Sequence, residues 1–170
     1  RRGWYSDQYF ANILALLRGV SLADGFQGRY ARDVGRDPSG LNVGDLEVEM
    51  QFFTRRAGKT VIVGVDKALA MLRHCTGYFG ASDNWVETWQ HLAVTAVHDG
   101  AITEYHGDPL HVQPVIRIHG RYRDFALLET PMLGILSRSS RIATNVYKTL
   151  RAAKGKPVLF FPARFDLHEV

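Results

Sequence analysis

A chain of 170 residues, 46% of them hydrophobic and 22% charged, is long enough for about one domain with a proper core. Its 21 Lys and Arg against 17 Asp and Glu leave a formal charge of +4, interspersed rather than in blocks, which suits anionic small molecules at least as well as nucleic acid. The single cysteine, Cys75, excludes an internal disulfide and a multi-thiolate metal site and is expected as a small buried hydrophobe. Charged residues interrupt every apolar run before the roughly 20 residues that a membrane-spanning helix needs, and no signal-peptide core is present. The expectation is a soluble cytoplasmic protein with no membrane or nucleic-acid partner.

In chain order, Tyr9, Phe10, Ile13, Leu14 and Leu17 recur at helical spacing, with Ser6 or Asp7 as N-cap and Gly19 as the stop. Ala23 to Asp45 is rich in Gly, Asp and Arg without a sustained period and reads as a long surface connection containing at most one helical turn. Leu46, Val48, Met50 and Phe52 alternate with Glu47, Glu49 and Gln51, the period of a strand with one wet face. A turn at Ala57-Gly58 and the β-branched run Thr60 to Val63 then predict a hairpin. A short helix capped by Asp66 follows, through Ala68, Leu69, Met71 and Leu72.

Trp85, Val86, Trp89 and Leu92 predict a helix over Asn84 to Leu92, followed by a strand at Ala93 to Val97 that closes at Asp99-Gly100. An extended pair is expected at Ala101 to Tyr105 and His111 to His119, where Pro114 argues for an edge or a bulge. Asp124 begins a helical pair in which Thr130-Pro131 is either a cap with Pro in the first turn or a kink. The second helix carries Ile142, Val146 and Leu150 on its buried stripe and ends at Gly155. Val158 to Phe161 then suits a strand buried on both faces.

Between the two expected helices, Arg138 and Arg141 flank Ser139-Ser140, where free N–H groups of a helix start can receive phosphate; a solvated loop is the alternative. His106, His111 and His119 lack i, i+4 spacing or a nearby Cys and read as strand-surface residues rather than metal ligands. Arg55, Arg56 and Lys59 fall at the hairpin tip and read as a solvated turn, because the aromatic interleaving of a nucleic-acid patch is missing. The chain starts at Arg1-Arg2 without Met and stops at Val170 soon after the last expected strand, so it is expected to be part of a longer polypeptide.

Three blocks carry a family resemblance. They are Ser6-Asp7-Gln8-Tyr9; Met50-Gln51-Phe52-Phe53-Thr54-Arg55-Arg56 with Val63-Gly64-Val65-Asp66-Lys67-Ala68-Leu69; and Leu127 to Leu136 with Ile142-Ala143-Thr144-Asn145 and Val158 to Arg164. In that order they resemble the nicotinate phosphoribosyltransferase family, type II phosphoribosyltransferases that include the nicotinamide enzymes. The resemblance implies an α/β fold: residues 1–123 as an α+β N-terminal domain with a mixed or antiparallel sheet, 124–156 as a helical connection, and 157–170 as the start of an irregular α/β barrel.

The resemblance also implies transfer of nicotinate to phosphoribosyl pyrophosphate with release of pyrophosphate, Mg2+ accompanying the pyrophosphate, and ATP phosphorylating a histidine beyond this chain. A homodimer with shared sites is implied as well. Phe161 matches the aromatic that stacks on the pyridine ring, Tyr9 the tyrosine that covers its other face from a neighbouring subunit, and Arg164 the arginine that holds phosphate; Arg138 and Thr144 complete the substrate-binding candidates. Pro162 and Phe165 depart from the family pattern, which has Gly after the aromatic and a second basic residue after the arginine. Without the resemblance, Phe161 is by default a core residue, Arg164 a solvated charge and Tyr9 an ordinary residue of an amphipathic helix. A nicotinamide-preferring enzyme and a non-catalytic assembly module remain alternatives.

Overall fold

The computed structural model describes residues 1–19 and 43–161. Phe10 and Leu14, one helical turn apart, bury the inner stripe of α1 (Gln8–Gly19), which starts where the Phe10 N–H meets the Asp7 carbonyl at 3.0 Å. A 3₁₀ turn at Val43–Asp45 leads into β1 (Glu47–Phe52), whose charged residues face out as the alternation predicts. β2 (Gly58–Val61), α2 (Val65–Cys75), β3 (Gly77–Phe79) and β4 (Trp85–Glu87) follow. Then come β5 (Ala93–Ala96), β6 (Ile102–Tyr105), β7 (Ile116–Arg121) and, after two 3₁₀ turns, α3 (Glu129–Ala153). The fold is thus α+β, with a three-stranded sheet ordered β1-β7-β5 and two antiparallel pairs, β2-β6 and β3-β4. Among the described residues no helix is long and apolar enough to cross a membrane.

The chain divides into two compact units, Arg1–Met50 with Ala70–Val94 and Ile118–Met132, and Gln51–Leu69 with Thr95–Arg117 and Leu133–Val170. In the first, Phe10, Leu14, Leu72, Ile118, Phe125 and Leu128 are buried. Beside them lies the carboxylate of Asp124, whose Oδ2 accepts from Thr88 Oγ1 at 2.8 Å and from Arg121 Nε and Nη2 at 3.0 and 2.8 Å. Arg121 Nη1 and Arg123 Nη2 continue to Asp45 at 3.1 and 2.9 Å. The β3-β4 hairpin sets Gly77 opposite Glu87 and Phe79 opposite Trp85. Only glycine fits at position 77, because a Cβ there would stand 2.1 Å from the Val86 carbonyl oxygen.

In the second unit Phe52, Ile62, Val65, Ala68, Val115, Ile116 and Leu136 are buried. The free edge of β2 is closed by a helix rather than by a strand. Val61 N–H donates to Thr144 Oγ1 and Val63 N–H to Ser140 Oγ, each at 3.0 Å, and both hydroxyls sit on α3. Buried backbone donors need partners, so these hydroxyls explain why Ser and Thr stand on the inner stripe of a helix. Asp99 does the same for α2, accepting the Val65 N–H at 2.8 Å.

Several expectations are corrected. β2 exists, but it pairs antiparallel with β6, Thr60 opposite Thr103, and makes no hairpin with β1. The Arg56 N–H to Thr54 Oγ1 bond, 3.1 Å, turns the chain after β1, and long-range pairing wins over local pairing. For the same reason β6 and β7 are not each other's partners, and Pro114 lies before β7, which is the central strand of its sheet. Residues 84–92 form β4 and a 3₁₀ turn at Trp89–His91 instead of a helix. Asp83 adopts φ 55° in the hairpin turn, and Trp85 meets Phe79 edge-on at 5.0 Å, a cross-strand pair that outweighs the helical spacing.

The expected helical pair is one continuous helix, α3, with Pro131 in its first turn, where N–H groups have no intrahelical acceptor anyway. Gly134, Ser139 and Ser140 are weak helix formers. Met132, Leu136, Ser140 and Thr144 nevertheless make a buried stripe at four-residue spacing, which holds the helix through them. Val158 to Phe161 is outside any sheet among the described residues and is exposed, 78% at Leu159 and 81% at Phe161, since no strand lies alongside to accept its hydrogen bonds. His106 and His111 are in the loop between β6 and β7, not on a strand, and Cys75 is half-buried. Most of the expected connection at Ala23 to Asp45, with Pro162, Arg164 and Phe165, lies outside the described residues.

Candidate anion-binding site

Two concavities differ in the state of their arginines. The larger, about 640 Å³ in the first unit, is walled by Trp4, Tyr5, Leu14, Phe79, Trp85 and Leu127, with Arg1, Arg2 and Arg123 around it. All three guanidiniums are already matched: Arg1 to Glu87 at 3.2 Å, Arg2 to Asp83 at 2.7 Å and Arg123 to Asp45 at 2.9 Å. Arg1 and Arg2 also lie over the rings of Trp85 and Phe79. Little positive field is left there for an anionic ligand.

The smaller pocket, about 280 Å³ in the second unit, is built differently. Phe53, Thr54, Arg55 and Arg56 reach it from the turn after β1, Thr60 and Ile62 from β2, and Leu136, Ser137, Ser140 and Arg141 from α3. Phe52, Ile62, Val115 and Leu136 give it an apolar floor. Above that floor stand three exposed arginines, and among the described residues none of them is ion-paired with a carboxylate. Arg56 Nη2 donates only to the neutral Asn145 Oδ1, at 3.3 Å, and Arg55 rests over the Phe53 ring at 5.5 Å. Thr60, 3% exposed, has an Oγ1 with no hydrogen-bond partner.

Guanidiniums bind phosphate through parallel N–H donors, and an apolar floor lowers the local dielectric and strengthens such pairing. Ser137 and Arg141, one turn apart on α3, offer a hydroxyl and a guanidinium on the same helix face. Among the described residues no carboxylate lines the pocket, so its donors suit an anion or a metal-complexed anion rather than a bare metal ion. Among the described residues no group of three or more His, Cys, Asp and Glu gathers as a metal site. In the loop before β7, Asp108 is held below the ordinary carboxylate range by its hydrogen bond with His111 and then by the Leu110 N–H.

The residues singled out in the sequence are dispersed. Tyr9 is on the first turn of α1 in the first unit, 66% exposed, with the Phe10 ring edge-on at 5.1 Å. Arg138 is on the exposed side of α3, and Thr144 is fully buried, its Oγ1 donating to the Ser140 carbonyl at 2.6 Å while accepting the Val61 N–H. Phe161 follows α3 in an exposed segment. The helix start expected between Arg138 and Arg141 does not exist, because both lie within the continuous α3. Arg141 lines the pocket all the same. Arg55, Arg56, Ser137 and Thr60 were not among the candidates. The signal is the block Phe53-Thr54-Arg55-Arg56, whose basic residues look like a solvated turn in the sequence alone.

Comparison with solved structures supports the same fold. Over 98% of this chain and 33% of its own length, the crystal structure of nicotinate-nucleotide pyrophosphorylase from Pyrococcus furiosus superposes with a TM-score of 0.61 at 24% identity. Human nicotinic acid phosphoribosyltransferase superposes over 90% of this chain and 29% of its own, with a TM-score of 0.55 at 19% identity. The chain therefore spans about a third of the length of these structures. Residues 37–140 match the quinolinate phosphoribosyl transferase N-terminal domain, more than half of the chain, and the chain belongs to that family, among the type II phosphoribosyltransferases that its motifs resemble.

Proposed function

We propose that this chain is the N-terminal portion of a nicotinate phosphoribosyltransferase, joining nicotinate to phosphoribosyl pyrophosphate to give nicotinate mononucleotide and pyrophosphate. In that reaction the pyridine nitrogen bonds to C1 of the ribose as the bond from C1 to the pyrophosphate oxygen breaks. Charge accumulates on the leaving group, so fixed cations aimed at it accelerate the step more than a strong base does. The observation that supports the reading is that the guanidiniums of Arg55, Arg56 and Arg141 stand over an apolar floor without a carboxylate partner among the described residues. These residues hold a phosphate of the substrate, with Mg2+ supplying further charge on the pyrophosphate when bound.

The pyridine ring takes its place between Phe161 and the Tyr9 of a second copy in a homodimer, each stack contributing about 0.5–1.5 kcal/mol. High exposure of both rings, 81% and 66%, is consistent with partners outside this chain. Arg164 and Arg138 add positive charge for phosphate, and Thr144 acts from below by fixing β2 against α3. The histidine phosphorylated by ATP lies beyond these residues.

The matched family's quinolinate name and the nicotinamide branch make two competing substrates. Pyrophosphate release by the full-length protein, assayed with nicotinate, nicotinamide and quinolinate in turn, separates them. Nicotinate is expected to give the highest kcat/KM. Preference for either other base would reassign the substrate, and no release with any of them would leave an assembly module.

A further inference from the structure

We propose that Thr130 is a positioning residue for the base site: with Asp7 it forms a two-bond clamp between the starts of α1 and α3 that fixes the direction in which Tyr9 is presented. The inference deepens the proposed function and rests on its assignment of Tyr9 to the pyridine ring. Both helix starts belong to the first unit. The Asp7 N–H donates to Thr130 Oγ1 at 3.3 Å, and that hydroxyl donates in turn to Asp7 Oδ2 at 3.1 Å. One hydroxyl can do both, since it carries a single proton and two lone pairs. The partners are 123 residues apart in sequence, so the pair joins elements that local structure does not hold together.

The location makes the clamp consequential for Tyr9. Asp7 is the residue from which α1 departs, its carbonyl accepting the N–H groups of Phe10 at 3.0 Å and Ala11 at 3.4 Å. Tyr9 follows two positions later, in the first turn, where a helix frays most readily. Its ring has Phe10 as its ring neighbour, and Phe10 itself is buried, so the Tyr9 ring takes its aim from the backbone beneath it. Aspartate before a helix ordinarily caps its own first turn. Here Asp7 Oδ2 is directed to Thr130 instead, which ties the first turn to α3.

Burial pushes the Tyr122 phenol up, and the charges of Glu129 and Tyr9 add to the shift. Burial likewise pushes the Glu129 carboxyl up. A hydroxyl at position 130 is what the clamp needs; valine has the same shape without the proton or the lone pairs.

The test is a double-mutant cycle in the full-length protein, reading KM for the base, KM for phosphoribosyl pyrophosphate and kcat. Tyr9→Ala is expected to raise KM for the base about 2- to 12-fold, the range that one ring stack represents. Thr130→Val is expected to raise it by up to the same factor, with KM for phosphoribosyl pyrophosphate unchanged. Thr130→Ser restores the wild-type value, and Thr130→Val adds nothing in the Tyr9→Ala background, an outcome that a general loss of stability would not give. If Thr130→Val is not recovered folded, Asp7→Ala, which removes the Oδ2 acceptor, takes its place with the same expected coupling.

Full additivity of the two substitutions, or an unchanged base KM in Thr130→Val while Tyr9→Ala is impaired, would overturn the clamp and leave the role of Tyr9 standing. An unchanged base KM in Tyr9→Ala would remove that role and the inference with it.

Discussion

Replacing Arg56 and Arg141 together by glutamine is expected to raise KM for phosphoribosyl pyrophosphate about 10- to 100-fold in the full-length protein, with a much smaller change in KM for the base. Hydrogen bonds to charged groups contribute about 1.5–3 kcal/mol, and 1.4 kcal/mol is a factor of ten. The two arginines approach the same pocket from different elements, the turn after β1 and the middle of α3, so losing both removes positive charge from two sides. Since neither is paired with a carboxylate among the described residues, no acidic partner is stranded and the effect falls on binding rather than on folding. A fall in kcat beside the rise in KM would show that the pocket holds the leaving group more tightly in the transition state. Steady-state kinetics with each substrate varied in turn checks this.

The second large effect concerns stability. Asp124→Ala is expected to destabilise the protein by about 1–3 kcal/mol, because removing the buried carboxylate leaves the Thr88 hydroxyl without its acceptor and takes one of two carboxylate partners from a part-buried guanidinium. Asp124 is 6% exposed and takes three donor bonds, two from Arg121 and one from Thr88. Arg121 keeps Asp45, but that carboxylate is more exposed than Asp124, with 43% of its side-chain surface accessible against 4%. Chemical denaturation followed by tryptophan fluorescence is the measurement, with Asp124→Asn as the milder control that keeps an acceptor for Thr88. A loss below about 1 kcal/mol would place the pair among ordinary surface ion pairs, whose worth is of that order.

How much of this was legible in the sequence follows from how local each determinant is. α1 and β1 were legible, since their apolar periods lie within one element, and so was β5. Strand partners were not: β2 and β6 match in register only through residues some 40 positions apart, and nothing in either run names the other. Trp85 and Trp89 fell at helical spacing by coincidence, while Asp83 in a left-handed turn made a hairpin. A break is expected inside α3 because Ser139-Ser140 reads as a connection between two helices. Ser140 is there because Val63 needs an acceptor.

The candidate site followed the same rule. Tyr9, Phe161 and Arg164 came from motif resemblance, whereas the pocket is formed by three elements that meet only in the fold. Arg55 and Arg56 looked like a solvated turn because a sequence shows charge without showing whether a carboxylate stands opposite. The arginines around the larger concavity have carboxylate partners, and those at the smaller one have none among the described residues.

Anion capture by the turn after β1 and the face of α3 is what the proposed chemistry requires. Titrating the isotope-labelled protein with pyrophosphate, with and without Mg2+, and following amide shifts by NMR tests it most directly. Saturable shifts at Thr54, Arg55, Arg56, Ser137 and Arg141 that vanish when Arg56 and Arg141 are replaced by glutamine are expected. Shifts confined to the arginines around the larger cavity, or saturation unaltered by the double substitution, would contradict it.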